Sequence, residues 1–175
     1  GIGLMPSLDE VLSTFPDRSL LIHIKSDDPR EGVLLADRLS RLPSGQLDRL
    51  AVYGGDRPIA ELEKRLPELR TMSKATLKQC LLQYEAIGWT GIIPDACKET
   101  QLHIPVQYAP WLWGWPDRFL KRMEQSGTRV ILVKYINGFS GGFDNPEDLK
   151  ELPEDYSGGI WTNRIDRIAP LLKEK

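Results

Sequence analysis

The chain has 175 residues, 41% of them hydrophobic and 27% charged, with a formal net charge of −2. At this length roughly two thirds of the unfolded surface can be buried, so a single domain over residues 1–175 is the expectation. The charge balance gives no sign of a nucleic acid or an anionic membrane as partner. No apolar run approaches the ~18 residues of a membrane helix, and the start GIGLMPSLDE lacks the basic end and apolar centre of a signal peptide. A soluble protein of the cytoplasm or periplasm follows as the expectation. Cys80 and Cys97 fit neither a metal spacing nor a disulfide framework and read as ordinary buried thiols.

Short apolar runs alternate with capped amphipathic helices. Ser7-Leu8-Asp9-Glu10 is a capping box, opening a helix that stops near Phe15-Pro16. Ser19 to Lys25 (SLLIHIK) reads as a strand. Asp28-Pro29 then starts a helix with Val33, Leu34, Leu35, Leu39 and Leu42 as its apolar face. Leu50 to Tyr53 is a strand ending in Gly54-Gly55, and Asp56-Arg57-Pro58 opens the next helix. Leu69 to Met72 is a short strand, after which Ser73 caps a helix over 75–87 with Gly88 as its stop. Trp89 to Ile93 and Ile104 to Tyr108 are strand candidates. A helix from Pro116-Asp117 to Ser126-Gly127 precedes Arg129 to Tyr135, the clearest strand. Asn145-Pro146 caps a short helix, Gly159 to Thr162 is a last strand, and Ile165 to Leu172 closes with a helix.

Strands alternating with helices argue for a parallel α/β sheet, and strands apolar almost throughout fit burial on both faces. The count is about six strands, seven if both candidates in 89–108 are real, short of the eight in a closed barrel. An open doubly wound sheet would carry a glycine-rich turn after its first strand, and Lys25-Ser26-Asp27-Asp28-Pro29 has no glycine.

Two segments resemble one known family. Met5-Pro6-Ser7-Leu8-Asp9-Glu10-Val11-Leu12 with Leu20-Leu21-Ile22-His23-Ile24-Lys25 is similar to the "P-[TS]-L-x-E-V-L … L-x-I-E-I-K" segment of the glycerophosphodiester phosphodiesterases. Gly158-Gly159-Ile160-Trp161-Thr162-Asn163-Arg164-Ile165-Asp166 is similar to that family's closing "D-G-I-x-T-D-R-P-D". The resemblance implies a partial TIM (β/α) barrel, running from strand three onward. It also implies a phosphodiester hydrolase with a divalent cation, Mg²⁺ or Ca²⁺, and a small phosphodiester substrate. The family's His-Arg-Gly and Glu-x-Asp motifs are absent from these 175 residues, so little turnover is expected of this chain by itself. A degenerate barrel that binds a phosphorylated ligand or a partner subunit is the alternative. An incomplete barrel would leave Ser19–Lys25 as an open edge, inviting self-association.

His23 and Lys25 alternate with Ile22 and Ile24 and therefore share a face. Where the family has a metal-binding glutamate this chain has His23, a poor ligand for Mg²⁺ or Ca²⁺ but suited to a softer metal. Three readings stand for it: metal ligand, phosphate contact, or a hydrogen-bonded filler of the barrel. Lys25 matches the family's active-site lysine and can hold a phosphate oxygen; otherwise it is a solvated rim residue or a partner of Asp27 or Asp28. The run Ala109-Pro110-Trp111-Leu112-Trp113-Gly114-Trp115-Pro116 offers an apolar wall for substrate through Trp111 and Trp113, or else packs on a neighbouring helix. Trp161 divides in the same way between substrate wall and core. Tyr135 opens a glycine-rich loop, Tyr135 to Gly142, that could present backbone amides to phosphate. His103 falls in a polar loop and is expected to be exposed.

Overall fold

A computed structural model describes residue 3, residues 5–136 and residues 139–172. The chain divides into two compact units, Gly1–Ser73 and Lys74–Lys175. Both are α/β with parallel strands, as the alternating pattern predicts, and both sheets are open.

In the first unit α1 (Leu8–Thr14) begins at the expected capping box. The Glu10 amide donates to Ser7 Oγ at 3.2 Å and the Ser7 amide donates to the Glu10 carboxylate at 2.7 Å. Strands β1 (Leu20–Ile24), β2 (Leu50–Gly54) and β3 (Arg70–Ser73) form a parallel sheet in that order, with β1 at an edge. Helices α2 (Pro29–Leu39), α3 (Ser44–Leu47) and α4 (Asp56–Arg65) complete the unit. Ile24, Leu50 and Val52 point from the sheet into one cluster with Leu12 of α1, Ala36 and Leu39 of α2, Leu47 of α3, and Ile59 and Leu62 of α4. The α2 and α4 backbones cross where Gly32 lies. A Cβ there would stand 2.0 Å from the Pro58 carbonyl oxygen, so only glycine permits this approach.

The second unit is built on β4 (Gln101–Pro105), β5 (Arg129–Ile136) and β7 (Gly159–Ile160), all parallel, with β5 central. A three-residue strand β6 (Phe139–Gly141) folds back antiparallel on the end of β5. Leu102 and Ile104 of β4 and Val130 and Leu132 of β5 pack with Tyr84 of α5 (Lys74–Ile87) and with Phe119 and Met123 of α6 (Asp117–Gln125). Gly127, at φ 72°, ends α6 in the left-handed conformation. The chain closes with α7 (Ile165–Leu172).

Three local expectations need correction. Trp89–Ile93 is not a strand: Gly88–Thr90 is a 3₁₀ turn, and Gly91 turns the chain at φ 91°. The second candidate, Ile104–Tyr108, lies three residues too late, because β4 spans 101–105. Gln101 and His103 alternate with Leu102 and Ile104, and their polarity disguised a period-2 strand. The cysteines are also not free thiols. Cys80 of α5 and Cys97 of a short 3₁₀ turn are joined in a disulfide, with both residues fully buried. Two cysteines 17 residues apart carry no pattern that announces such a bond, which the fold creates by turning the chain at Gly91.

Closing a loop of this length restricts the unfolded chain, and the double variant Cys80→Ala/Cys97→Ala should lose about 2–4 kcal/mol of stability. Urea unfolding of the wild type with and without dithiothreitol measures it. Overlapping curves would show the bond contributes nothing.

Candidate functional site

The alternation of each parallel strand sorts its side chains by face. In the first unit Ile24, Leu50 and Val52 take the helix-covered side. Leu21, His23 and Lys25 take the other, together with Tyr53, which is paired in register with His23. His23 and Lys25 therefore do share a face, and both are exposed. The His23 imidazole stacks on the Tyr53 ring, with centroids 4.0 Å apart and planes inclined by 18°. Nothing in the sequence marked Tyr53 as its neighbour; the strand register produces the pair.

Just beyond these strand ends the acids are engaged. Asp27 accepts from the Arg57 amide at 3.1 Å and from Arg57 Nε at 2.8 Å, which ties the β1 loop to the first turn of α4. Asp28 caps α2 by accepting from the Arg30 amide at 2.9 Å, and its carboxylate also pairs with the Arg30 guanidinium. These hydrogen bonds hold both carboxyls below the usual range. Lys25 enters no hydrogen bond or ion pair among the described residues, so neither aspartate is its partner. Partial burial, and secondly the nearby Lys25 charge, hold the His23 imidazole below its ordinary pKa.

These neighbours bear on a metal. Among the described residues no three His, Cys, Asp or Glu side chains converge as a metal-binding group. The charge closest in effect to His23 is the Lys25 ammonium, and both nearby aspartates face arginines. This set does not fit a hard divalent cation, which takes six or more oxygen ligands.

In the second unit one face of the sheet carries Gln101 and His103 of β4, Ile131 and Tyr135 of β5, and Trp161 just after β7. His103 is 9% exposed, not solvated as its polar surroundings in the sequence suggest, and its ring meets Trp161 edge-on at 5.6 Å. Trp161 is half-buried, held by its amide donating to the Leu132 carbonyl at 2.9 Å. Tyr135 is 49% exposed. It lines a cavity of about 470 Å³ with Val106, Gln107, Lys134 and Glu151, at the C-terminal ends of β4 and β5. The expected glycine-rich loop is the β5–β6 hairpin, in which Tyr135 pairs with Ser140; Asn137 and Gly138 lie outside the described residues.

Lys134 turns to the helix side of β5, where it donates to Asp148 at 2.8 Å and to Glu151 at 2.7 Å. Asp148 also accepts from the Asp144 and Asn145 amides at 3.0 and 2.9 Å. Asp144 in turn receives the Asn163 amide at 2.7 Å and the Asn163 side chain at 3.0 Å. The chain segment after the hairpin is thereby fastened to the end of the last strand.

The tryptophan run does not form one wall. Trp115 is half-buried and packs against Phe119 and Tyr156, with centroids 5.8 and 6.0 Å away. Trp113 donates from Nε1 to the Glu85 carbonyl at 3.0 Å, and its own carbonyl accepts from the Tyr84 hydroxyl at 2.9 Å. Trp111 is 80% exposed. Trp111 and Trp113 thus belong to a loop pinned on the end of α5.

Comparison with protein-family models, with curated proteins and with solved structures found no match.

Two outcomes follow from this geometry. Replacing Lys134 with Met leaves the largely buried Asp148 carboxylate without its cation, while Glu151 is exposed enough to be solvated, and should cost about 1–3 kcal/mol in denaturant unfolding, with no loss marking the bridge as inert. For His23, NMR titration should give a pKa below that of an unstructured histidine, and Lys25→Gln should raise it part of the way back. A depressed folded-state pKa means the unfolded chain gains the proton first. This residue therefore weakens folding as pH drops below about 6.5 and costs nothing above it. An unshifted His23 would contradict the stacked, partly desolvated environment.

Proposed function

We propose that the chain is part of a (β/α)-barrel phosphodiester hydrolase of the glycerophosphodiester phosphodiesterase kind, in which Lys25 holds a phosphate oxygen. What supports this reading is one observation: at the end of β1, Lys25 stands exposed and unpaired among the described residues, on the same strand face as a histidine fixed against Tyr53. A lysine without a carboxylate partner at the C-terminal end of a parallel strand is suited to an anionic ligand. By the same resemblance His23 occupies the position of the family's metal-binding glutamate. The divalent cation of that family would need oxygen ligands other than the groups around His23. The remaining strands, with the His-Arg-Gly and Glu-x-Asp motifs, would lie outside these 175 residues.

A second reading, a barrel that binds a phosphorylated ligand without cleaving it, draws on the same substitution of histidine for glutamate at position 23.

Glycerol 3-phosphate titrated into the isotopically labelled chain should shift the His23 ring resonances. Lys25→Met should weaken that binding roughly tenfold or more, the usual effect of losing a charge-assisted hydrogen bond. Assayed with a glycerophosphodiester and Mg²⁺, Ca²⁺, Mn²⁺ or Zn²⁺, the chain should turn over little. Unmoved His23 resonances would remove phosphate from the reading, and robust hydrolysis would overturn the claim that catalytic groups lie elsewhere.

A further inference from the structure

The cavity of about 470 Å³ at the C-terminal ends of β4 and β5 has the size of a small-molecule site. Val106 and Gln107 reach it from the end of β4, Lys134 and Tyr135 from β5, and Glu151 from the 3₁₀ turn Pro146–Glu151. Its charged lining is already paired. Lys134 donates to Asp148 at 2.8 Å and to Glu151 at 2.7 Å. These bonds, to Asp148 first and Glu151 second, hold the ammonium charged, above the ordinary lysine range. It therefore acts as a donor and not as a nucleophilic amine. One cation shared by two carboxylates leaves no positive charge over for a phosphate. Equally, the one carboxylate in the lining is held by an ammonium, which repels an organic cation.

What remains open is hydrogen-bonding capacity. An ammonium has three N–H donors, of which Lys134 uses two. Glu151 receives Lys134 on one carboxylate oxygen and is 44% exposed, with its second oxygen unengaged. The Gln107 amide and the Tyr135 hydroxyl form no hydrogen bond among the described residues. A donor and an acceptor held 2.7 Å apart match two neighbouring hydroxyls, each of which gives one bond and takes another. Beside them the half-exposed Tyr135 ring and Val106 present apolar surface to ring C–H groups. An uncharged ligand with vicinal hydroxyls and an apolar ring face answers to all of these groups. We propose that this cavity binds a neutral sugar ring, packed on Tyr135, with its hydroxyls on Lys134, Glu151 and Gln107.

Methyl β-glucoside, which has no charge and no reactive carbonyl, is titrated into the isotopically labelled whole chain, with cyclohexanol as a ring bearing a single hydroxyl. The Gln107 side-chain amide and the Tyr135 ring resonances should move with the glucoside, and cyclohexanol should leave Gln107 in place. Tyr135→Leu should weaken binding roughly fivefold through loss of the aromatic face, while Tyr135→Phe should keep most of it. Glu151→Gln should weaken binding roughly tenfold, because a charged acceptor gives way to a neutral one. Circular dichroism of each variant checks that the fold persists. Unmoved Gln107 and Tyr135 resonances overturn the proposal, as do equal shifts with cyclohexanol or undiminished binding by the Tyr135→Leu and Glu151→Gln chains. A site that responds to inorganic phosphate or tetramethylammonium instead of the glucoside overturns it too. The probe carries no phosphate and His23 is not read, so this outcome is separate from that of the phosphate reading at Lys25.

Discussion

Parallel strands cannot leave a face in water as readily as antiparallel ones, and that constraint organises everything in this chain. Each unit spends one sheet face on its helices: Ile24, Leu50 and Val52 in the first, and Leu102, Ile104, Val130 and Leu132 in the second. Because side chains alternate, the residues with chemical potential fall on the opposite face. His23, Lys25 and Tyr53 lie there in the first unit, and Gln101, His103, Tyr135 and Trp161 in the second. Ala51 and Met72, also on that side of the first sheet, are 4% and 8% exposed, so it is not simply a solvated surface. Lys134 marks the rule from the other direction. Placed on the helix side by the period of two, it is buffered by Asp148 and Glu151 and has no charge to offer a ligand.

How far the sequence reveals this depends on the range of the interaction. The capping box at Ser7, the Asp28-Pro29 helix start and the β1–α2–β2–α4–β3 alternation are local, and the structure has them where the pattern puts them. The same is true of the shared face of His23 and Lys25, which needs only the alternation of one strand. What was hidden involves partners distant in the chain. The stacking of His23 on Tyr53 depends on the β1–β2 register, and the Cys80–Cys97 bond on a turn at Gly91. In the sequence strand β4 reads too late, from Ile104, because Gln101 and His103 at its start are polar residues that the fold buries. The tryptophan run looked like one feature and is three, since Trp115 enters the core, Trp113 anchors on α5 and Trp111 faces water.

The end of α5 also shows how little of a helix terminus need be written in its own residues. Gly88 reads as a conventional stop, yet the carbonyls before it are satisfied by Trp89 and Thr90 from the following turn and by Trp113 from a loop beyond the next strand. Arg122 of α6 brings a positive charge to the negative end of the helix dipole, and its guanidinium also meets the Tyr84 hydroxyl at 3.0 Å. The last turn of α5 is thus a point where three separate segments converge.

The disulfide encloses this same stretch, and that arrangement alters what cleavage can do. Trp89, Thr90, Gly91 and Ile92 form an exposed segment inside the covalent ring from Cys80 to Cys97. A protease that cuts there opens the backbone but releases nothing, since the two pieces stay tethered through sulfur. Under oxidising conditions the nicked protein would migrate as a single species, and only reductant would part it into halves.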